Sequence, residues 1–357
     1  MSTHVEDSAV GAWLRSIVHG DADPRLQESA GQMLSVLEDS VPATSDGPFL
    51  TVVMRTQGRK PEAFRDALLT LLGQSDQDFE LLVVGHDVDD AVSERILAVL
   101  DEQPSSFRSR IRYIPVRGGG RSRPLNAAIE VGAGRYFAFF DDDDMVFGHW
   151  VETFREAAEG RHGRLIRAVA STQRMEQETW SSEVQGFRTL TWPRAEYAAS
   201  FEYEQHLERN HTPFMSIAFP CQLFTLWGER FDEELDVCED WDMILRGAFL
   251  LGVESVDELT SIYRLWTGVT SSYTEHDRAS WRMSESRVRA KLNGRSVILP
   301  SGGPASIIES MRQVEVRVSN NTQLNQILGS TSWRVTAPLR WVSTVLRALA
   351  RRVRGRG

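Results

Sequence analysis

A run of five apolar residues, Tyr136 to Phe140, leads directly into four aspartates, Asp141 to Asp144. The run is too short for a helix and too continuously apolar for a strand with one solvated face, so it predicts a fully buried strand of a parallel sheet. In open α/β sheets, ligands bind beyond the carboxyl ends of such strands. The sequence therefore predicts an acidic ligand site at one edge of a parallel sheet.

Four adjacent carboxylates at a buried sheet edge require positive charge nearby. Two of them about 5 Å apart repel by roughly 3 kcal/mol at an effective dielectric near 20. A hard divalent metal with oxygen ligands would compensate this charge. Because side chains alternate in an extended chain, we expect Asp141 and Asp143 to face one way and Asp142 the other. The alternative is a solvated acidic loop that caps the next helix, but the buried strand in front of it favours the metal site.

Composition excludes several classes of protein. A net charge of −10 argues against a general nucleic-acid binder, and 41% hydrophobic with 25% charged residues is typical of a soluble globular protein. The two cysteines, Cys221 and Cys238, have neither zinc-site nor disulfide-framework spacing, which indicates a reducing cytoplasm. Because there is no secretory signal and no apolar run of membrane-spanning length, we expect a cytoplasmic protein that does not span a membrane.

The hydrophobic periodicity divides the chain into segments. Residues 1–47 contain two helical patterns and a linker, and predict a helical appendage. From Phe49 onward, strand patterns alternate with helix patterns, which argues for a parallel sheet wound in the right-handed sense. The predicted strands are Phe49–Met54, Leu81–Val84, Ile111–Val116 and Tyr136–Phe140, and the predicted helices between them are Pro61–Leu72, Ala91–Leu100 and Pro124–Val131.

A second acidic centre, Cys238 to Asp242, opens a predicted amphipathic helix. The apolar positions of this helix, from Trp241 to Phe249, keep helical spacing, so Asp240 is predicted to point away from the core. Acids in a first helical turn are commonly partners of the helix dipole, and the residues alone leave that alternative open.

These segments, in this order, resemble the family 2 glycosyltransferases, whose nucleotide-sugar-binding domain has the GT-A fold. The resemblance covers about residues 48–275. Phe49–Arg59 looks like the family's opening strand and loop, and Gln74–Val84 like its next helix-to-strand passage. Leu125–Asp144 is similar to the Asn-containing helix that runs into the Asp-x-Asp strand. Phe231–Asp242 resembles the Glu-Asp motif that carries the catalytic base.

The resemblance implies roles for particular residues. Asp240 would be the catalytic base, with Glu239 beside it in the motif. Asp143 would bind a divalent metal, Mn²⁺ or Mg²⁺, and Asp141 would either share the metal or hold the ribose. The remaining residues implied to contact the nucleotide sugar are Thr56, Gln57, Arg59, His86, Asp87, Arg121, Asn126 and Asp142.

Two departures from the family pattern leave the nucleotide open. Gln57-Gly58 stands where the family usually has Asn, and Gly85-His86-Asp87 replaces the Asp that typically reads the base. Either His86 or Asp87 takes over that contact, or His86 is an ordinary loop residue. The glycines at 118–120 are either a simple turn or, with Arg121, a diphosphate cradle.

The segment 165–230 is rich in aromatic residues and would bind the acceptor.

The C-terminal region is predicted to be helical and ends in a basic tail. A helix is predicted at Glu285–Leu292 and a longer one from about residue 305 to 328. Ser330 to Arg340 looks like a signature at the ends of some bacterial surface-polysaccharide glycosyltransferases. From Arg334 the chain has seven arginines, no acid and an evenly spaced apolar stripe. This pattern predicts a peripheral membrane anchor, or else a coiled-coil seam in a homodimer.

The sequence therefore predicts an α/β protein with a GT-A domain, a mostly parallel sheet flanked by helices, and helical N- and C-terminal appendages. The expected domains are residues 1–47, 48–275 and 276–357. The expected function is metal-dependent, inverting transfer from a nucleotide sugar to a saccharide or lipid-linked saccharide acceptor, at the inner face of the membrane if the tail is an anchor. The alternatives are a nucleotidyltransferase acting on a sugar phosphate and a non-catalytic nucleotide-sugar-binding relative.

Overall fold

A computed structural model describes residues 9–20, 24–38, 47–159, 163–179, 185–267, 276–294, 307–309 and 312. The chain divides into two compact units, residues 1–299 and 300–357, and every element named below belongs to the first. The basic tail and most of the helix predicted from about residue 305 lie outside the described residues, so the anchor remains a prediction.

The elements follow the predicted alternation closely at the start of the chain. Two N-terminal helices precede the sheet, as predicted for the appendage. The helices are α1 (Ala9–Gly20), α2 (Pro24–Glu38), α3 (Pro61–Leu72), α4 (Asp90–Asp101), α5 (Ser105–Arg108), α6 (Arg123–Val131), α7 (Trp150–Ala158), α8 (Tyr203–Glu208), α9 (Gln222–Thr225), α10 (Glu239–Leu251) and α11 (Arg278–Asn293). The strands are β1 (Leu50–Thr56), β2 (Phe79–His86), β3 (Ile111–Val116), β4 (Tyr136–Asp141), β5 (Met145–Val146), β6 (Leu165–Thr179), β7 (Gln185–Thr189), β8 (Arg194–Ala195), β9 (Ile217–Pro220) and β10 (Val253–Thr267).

The described strands form one sheet with the order β3-β2-β1-β4-β9-β6-β10-β5, and β7 and β8 also pair with β6. The strands β1 to β4 pair in parallel, as the sequence predicted. The sheet then changes character, because β9 is antiparallel to both β4 and β6. The direction is restored where β6 pairs in parallel with β10. The predicted α/β class is confirmed, and the short reversed strands are an addition that the sequence patterns did not predict.

The central strand β4 is buried on both faces. Tyr136, Ala138 and Phe140 pack into the core on one side of the sheet with Trp150. Phe137 and Phe139 pack into the core on the other side, where Phe139 stacks on Phe214 at a centroid distance of 4.8 Å. Alternating side chains thus feed two separate cores, which is why the sequence here is a continuous apolar run.

Helix α11 packs on α10 on the far side of the second core. Val288 is buried with Trp241 and Leu245 of α10, and Lys291 Nζ lies 2.7 Å from Asp242 Oδ2. This helix includes the predicted Glu285–Leu292 and begins seven residues earlier, where the Asp277 side chain accepts hydrogen bonds from the N–H groups of Ala279 and Ser280. Within the described ranges, no helix is both long enough and apolar enough to cross a bilayer.

Candidate active site

The carboxyl ends of β1 and β4 and the amino end of α10 enclose a cavity of about 250 Å³. Its charged lining includes the predicted Asp141, Arg121, Glu239 and Asp240, together with Arg55. The acidic strand end and the Glu-Asp pair are about a hundred residues apart in sequence, and the fold brings them to one wall. The two centres singled out in the sequence are therefore one site.

The four aspartates do not alternate across the sheet edge as expected. Strand β4 ends at Asp141, and the chain turns at once, so that the N–H of Asp144 donates to the carbonyl of Asp141 at 3.3 Å. The alternation rule applies only to extended backbone, and this turn sends each carboxylate in its own direction. Asp141 and Asp144 line the cavity, and the alternation from which Asp141 and Asp143 were expected to face one way does not extend past Asp141.

Each aspartate has a protein partner. Arg55 Nη2 donates to Asp141 Oδ1 at 3.0 Å, because Arg55 and Asp141 are register neighbours on β1 and β4. The Thr56 hydroxyl donates to Asp142, and Lys60 forms an ion pair with Asp143. Asp144 accepts from the backbone N–H of Arg264 at 2.8 Å. The protein's own cations therefore supply part of the compensation that the sequence analysis assigned to a metal.

This compensation is incomplete at the inner aspartates. Burial and then the charge of Asp143 raise the pKa of Asp142 to about 7. Burial also raises the pKa of Asp143, despite the opposing charge of Lys60, and holds that of Asp144 well above its usual value. The cluster as a whole would thus be stabilised by additional positive charge.

Glu239 is the most firmly held acid of the site. Its side chain is 5% exposed, and its Oε1 accepts from Arg121 Nε at 2.8 Å and from Arg55 Nη1 at 3.1 Å. Burial alone would raise its pKa, but the charges of Arg121 and then Arg55 outweigh burial and lower the pKa of Glu239 to about 2. Glu239 is therefore a permanent anion that orients two arginines.

Asp240 differs from its neighbour in both partners and charge. Its Oδ2 accepts from Asn210 Nδ2 at 2.8 Å, and its Oδ1 accepts from the N–H of Trp241 at 2.7 Å. Burial, and then repulsion by Glu239, raise the pKa of Asp240 to about 7. Two adjacent carboxylates with pKa values pushed in opposite directions are typical of acid–base sites.

The backbone before this pair is strained. Cys238, the residue that precedes α10, has φ 68° and ψ 17°, the left-handed conformation that costs a non-glycine residue roughly 1–2 kcal/mol. This turn allows α10 to begin at the cavity wall, so that Asp240 projects into the cavity while Trp241 and Ile244 are buried. The prediction that Asp240 lies off the core face is confirmed.

The residues predicted to read the nucleotide lie beside this cavity, at the ends of β1 and β2. The sheet register pairs Thr56 with Gly85, which places the loop of Gln57 and Arg59 next to that of His86 and Asp87. Gln57 is half-buried and Arg59 is exposed. The two loops are adjacent, so the structure brings these five residues together, though not in the wall of the 250 Å³ cavity.

His86 and Asp87 differ in accessibility. His86 is buried, and its Nε2 makes no hydrogen bond among the described residues but lies 3.4 Å from Asp87 Oδ2. Asp87 has φ 53°, and its Oδ1 accepts from the N–H of Gly118 at 2.6 Å. This bond links the loop after β2 to the glycine turn after β3, in which Gly118 and Gly119 both have positive φ. The glycines are therefore at least a turn that a residue with Cβ would strain.

Asn126 has a local partner. Its Nδ2 donates to the carbonyl of Phe231 at 3.0 Å, and its Oδ1 accepts from the N–H of Phe231 at 2.9 Å. This two-way bond fixes the segment before α10 onto α6. In this structure Asn126 lies outside the cavity lining, and its contact with the nucleotide sugar stays a prediction.

The acidic strand end offers oxygen ligands of the kind that a divalent metal requires. Within the described ranges, no three His, Cys, Asp or Glu side chains are grouped to hold an ion. Mg²⁺, however, is usually bound through one or two carboxylates together with substrate phosphates, and does not need an all-protein cage. Asp141 is 35% exposed beside the cavity, and the under-compensated aspartates are hard oxygen ligands. Their chemistry therefore fits a metal brought with a diphosphate.

Three residues that hold the acids of the site, Arg55, Lys60 and Asn210, were not predicted from the sequence. Arg55 links Asp141 to Glu239, Lys60 pairs with Asp143, and Asn210 holds Asp240. The role of Arg55 could have been predicted, because this basic residue stands at the end of a buried strand that was expected to adjoin the strand before Asp141. Nothing in the sequence around Asn210 indicated its partner 30 residues away.

Aromatic residues also line the cavity. They include Tyr197 from the aromatic-rich segment, Tyr263 of β10 and Trp281 of α11. Trp192, from the same segment, is instead 88% exposed, and Trp180 of that segment lies outside the described residues. The cavity lining thus combines charged groups with aromatic side chains.

Several solved structures are similar to this chain at low sequence identity. The structure of S. aureus TarS 1-349 matches with a TM-score of 0.41 and 16% identity, over 60% of this chain and 60% of that one. Its complex with UDP-GlcNAc matches with 0.49 and 14%, over 69% and 72%. The mannosyltransferase PcManGT from Pyrobaculum calidifontis, in complex with GDP-Man and Mn²⁺, matches with 0.49 and 12%, over 96% and 98%.

No curated protein matches the chain, but a family match covers part of the site. Residues 51–222 match the family described as "Glycosyl transferase family 2". The matched residues begin in β1 and include β4 and the aspartates that follow it. The mixed α/β sheet flanked by helices agrees with the GT-A fold expected from the sequence. Residues 51–222 are thus a glycosyl transferase family 2 domain, and the protein is a glycosyltransferase.

Proposed function

We propose that this protein transfers a sugar from a nucleotide-sugar donor to a hydroxyl of a saccharide or lipid-linked saccharide, with inversion and with the help of a divalent metal. The observation that carries the proposal is Asp240, a cavity-lining carboxylate whose pKa is raised to about 7. A base is most effective when its pKa is near the working pH. The fixed anion Glu239 beside it makes that value possible.

The reaction follows from these groups. The acceptor hydroxyl gives its proton to Asp240 as its oxygen forms a bond to the anomeric carbon of the donor. The bond from that carbon to the diphosphate breaks, and the nucleoside diphosphate leaves with the electron pair. Because attack and departure occur on opposite faces of the sugar, one displacement inverts the anomeric centre.

The departing diphosphate develops negative charge, which the cationic side chains at the cavity can stabilise. Arg55 and Arg121 are held there by Glu239, and Arg121 is the residue that the sequence assigned to the diphosphate. A divalent metal would supply further positive charge to the leaving group, and Asp141 and Asp143 would hold it. Asp143 would then exchange Lys60 for the metal as its partner.

The acceptor would lie against the aromatic residues of the cavity. Tyr197, Tyr263 and Trp281 line it, and aromatic side chains suit the apolar face of a sugar ring. This lining supports a saccharide acceptor, and a lipid carrier on that saccharide would agree with membrane binding by the C-terminal tail. His86, whose buried Nε2 makes no hydrogen bond within the described residues and lies 3.4 Å from Asp87 Oδ2, is the proposed contact for the nucleotide base.

The test is a screen of nucleotide sugars with and without Mn²⁺ or Mg²⁺, with thermal shift reporting binding and nucleoside diphosphate release reporting turnover. The variant Asp240→Asn should bind the donor as the parent protein does, while transfer falls by at least about a hundredfold. The matched control is Asp236→Asn, an exposed acid on the same segment, which should behave as the parent does.

Near-normal transfer by Asp240→Asn would show that another group is the base. Release of pyrophosphate from a nucleoside triphosphate and a sugar phosphate, without donor-dependent release of nucleoside diphosphate, would instead support a nucleotidyltransferase. Binding of a nucleotide sugar without turnover of any acceptor class by the parent protein would support the non-catalytic alternative.

A further inference from the structure

We propose that Asn210 is a positioning residue for the catalytic base, and that it aims the Asp240 carboxylate and stabilises its charged form. The inference rests on the proposed function, because it assumes that Asp240 accepts the proton. Asn210 lies in the short segment between α8 and β9, and it lines the cavity together with Asp240.

The hydrogen bonds of Asp240 leave a defined part of it free. Asn210 Nδ2 donates to Oδ2 at 2.8 Å, and the N–H of Trp241 donates to Oδ1 at 2.7 Å. A carboxylate oxygen can accept two hydrogen bonds, so each oxygen retains one acceptor position. Because two donors fix the plane of the carboxylate, these free positions have fixed directions beside the cavity.

The orientation of the Asn210 amide is determined by a second bond. Its Oδ1 accepts from the N–H of Thr212 at 2.9 Å. A flipped amide would place Nδ2 against that N–H, and its oxygen against the carboxylate of Asp240, and both contacts would be repulsive. The only favourable arrangement presents the amide N–H to Asp240.

Thr212 is itself fixed by a buried polar network. Its side chain lies at 2.8 Å from His206 Nε2, and accepts from Arg167 Nε at 3.1 Å. His206 Nδ1 lies 2.8 Å from the carbonyl of Glu202, so Nδ1 must carry the proton. In neutral His206 the Nε2 atom is then an acceptor, and the Thr212 hydroxyl donates to it while it accepts from Arg167. In each hydrogen bond of this network, only one of the two groups can therefore be the donor.

The same network also reaches the other donor to Asp240. Trp241 Nε1 donates to the carbonyl of His206 at 2.7 Å, and Trp241 is 2% exposed. Both residues that hold the Asp240 carboxylate, Asn210 and Trp241, are thus tied to His206. A buried network with all its members paired is a rigid support.

The electrostatic consequence for Asp240 has a definite sign. A hydrogen bond donated to the ionised form favours that form, so Asn210 opposes burial and the repulsion by Glu239. The other charged groups that line the cavity are Arg55 on β1, Arg121 before α6, Asp141 at the end of β4, Asp144 in the turn after it, Arg209 beside Asn210 and Glu285 on α11. A substitution at Asn210 leaves all of them in place.

The test compares two variants. Asn210→Ser keeps a short side-chain acceptor for the N–H of Thr212 but is too short to reach Asp240, and Asn210→Asp keeps the Oδ1 acceptor while it removes the donor. Both should lower kcat at pH 7 by about ten- to a hundredfold, the scale of a hydrogen bond to a charged group. Both should shift the acidic limb of the kcat profile to higher pH, by about one unit, with little change in the KM for the donor.

The decisive comparison is a double-mutant cycle. If Asn210 acts through Asp240, then Asn210→Ser should cost almost nothing in an Asp240→Asn background. Additive losses in kcat would overturn the inference. An acidic limb of the kcat profile that does not shift would also overturn it, even if kcat and the melting temperature both fall. Near-normal transfer by Asp240→Asn alone would instead overturn the base assignment, so that failure of the proposed function is distinguishable from failure of this inference.

Discussion

Arg55 Nη1 donates to Glu239 Oε1 at 3.1 Å and so joins the first strand of the sheet to the helix of the base across 184 residues of sequence. Nη2 of the same side chain donates to Asp141 Oδ1. One side chain therefore fixes the distance between the acidic strand end and the Glu-Asp pair, and Arg121 reinforces it from the glycine turn.

Glu239→Gln should destabilise the protein, because it leaves two arginines facing a neutral partner. Removing one member of a buried ion pair costs about 3–5 kcal/mol, and we expect the lower end of that range, since Gln still accepts hydrogen bonds. Urea unfolding at pH 7 measures the loss. The control is Glu234→Gln, whose carboxylate is 73% exposed in its pair with Arg287 and should contribute at most about 1 kcal/mol.

The stability conferred by Glu239 should also depend on pH. Its pKa is about 2 in the folded protein against 4.5 ordinarily, so the stabilisation is fully present above pH 4.5 and is lost as pH falls towards 2. Over that interval the parent protein should lose on the order of 3 kcal/mol more than Glu239→Gln loses. Parallel stability curves for the two proteins would contradict the network described here.

His206 should make the protein sensitive to mild acid. Burial lowers the pKa of His206 to about 4 from 6.5, so below pH 6.5 the unfolded state binds a proton that the folded state does not. Stability should therefore fall between pH 6.5 and pH 4, by on the order of 3 kcal/mol. Thermal unfolding of the parent and of His206→Gln across this range measures the effect, and the variant should have the flatter profile. His19→Gln, exposed on α1, should retain the dependence of the parent.

Asp143→Asn should abolish metal-dependent binding of the nucleotide while the fold is retained, because this carboxylate is the proposed ligand. Calorimetry of nucleoside diphosphate binding with Mn²⁺, and again with a chelator, measures the effect, and circular dichroism reports the fold. Asp236→Asn, which is exposed and outside the cavity lining, should bind as the parent does. An affinity that neither the Asp143 variant nor the chelator changes would exclude the metal role.

The basic C-terminal tail should bind anionic vesicles. Its arginines gain on the order of 1 kcal/mol each near anionic headgroups, while the apolar stripe and Trp341 would bury in the interface. Co-sedimentation of the full chain should be strong on anionic lipids, weak on neutral ones and reduced by salt. A chain that ends after Leu328 should not sediment. Equal sedimentation of the two would contradict the anchor, and loss of a dimer on truncation would support the coiled-coil alternative.

The local structure around the site follows from the sequence itself. The predicted bounds of α3 and β3 are those of the structure, because the first has a proline in its first turn and a clear apolar face, and the second is a short strand bounded by turns. The continuous apolar run of β4 predicted its burial on both faces and the placement of acid at its carboxyl end. These features depend only on near neighbours in the chain, which is the range over which periodicity carries information.

Only the tertiary structure decided which charges meet. Asp141 pairs with Arg55 because of the register of β4 on β1, and Asp142 and Asp143 face Thr56 and Lys60 because the chain turns after Asp141. Asp240 meets Asn210 through a segment fixed by Thr212, Arg167 and His206. Strand register and turn direction depend on the packing of the whole sheet. Residue types and their spacing in the sequence therefore identified the acidic residues of the site but not the residues that pair with them.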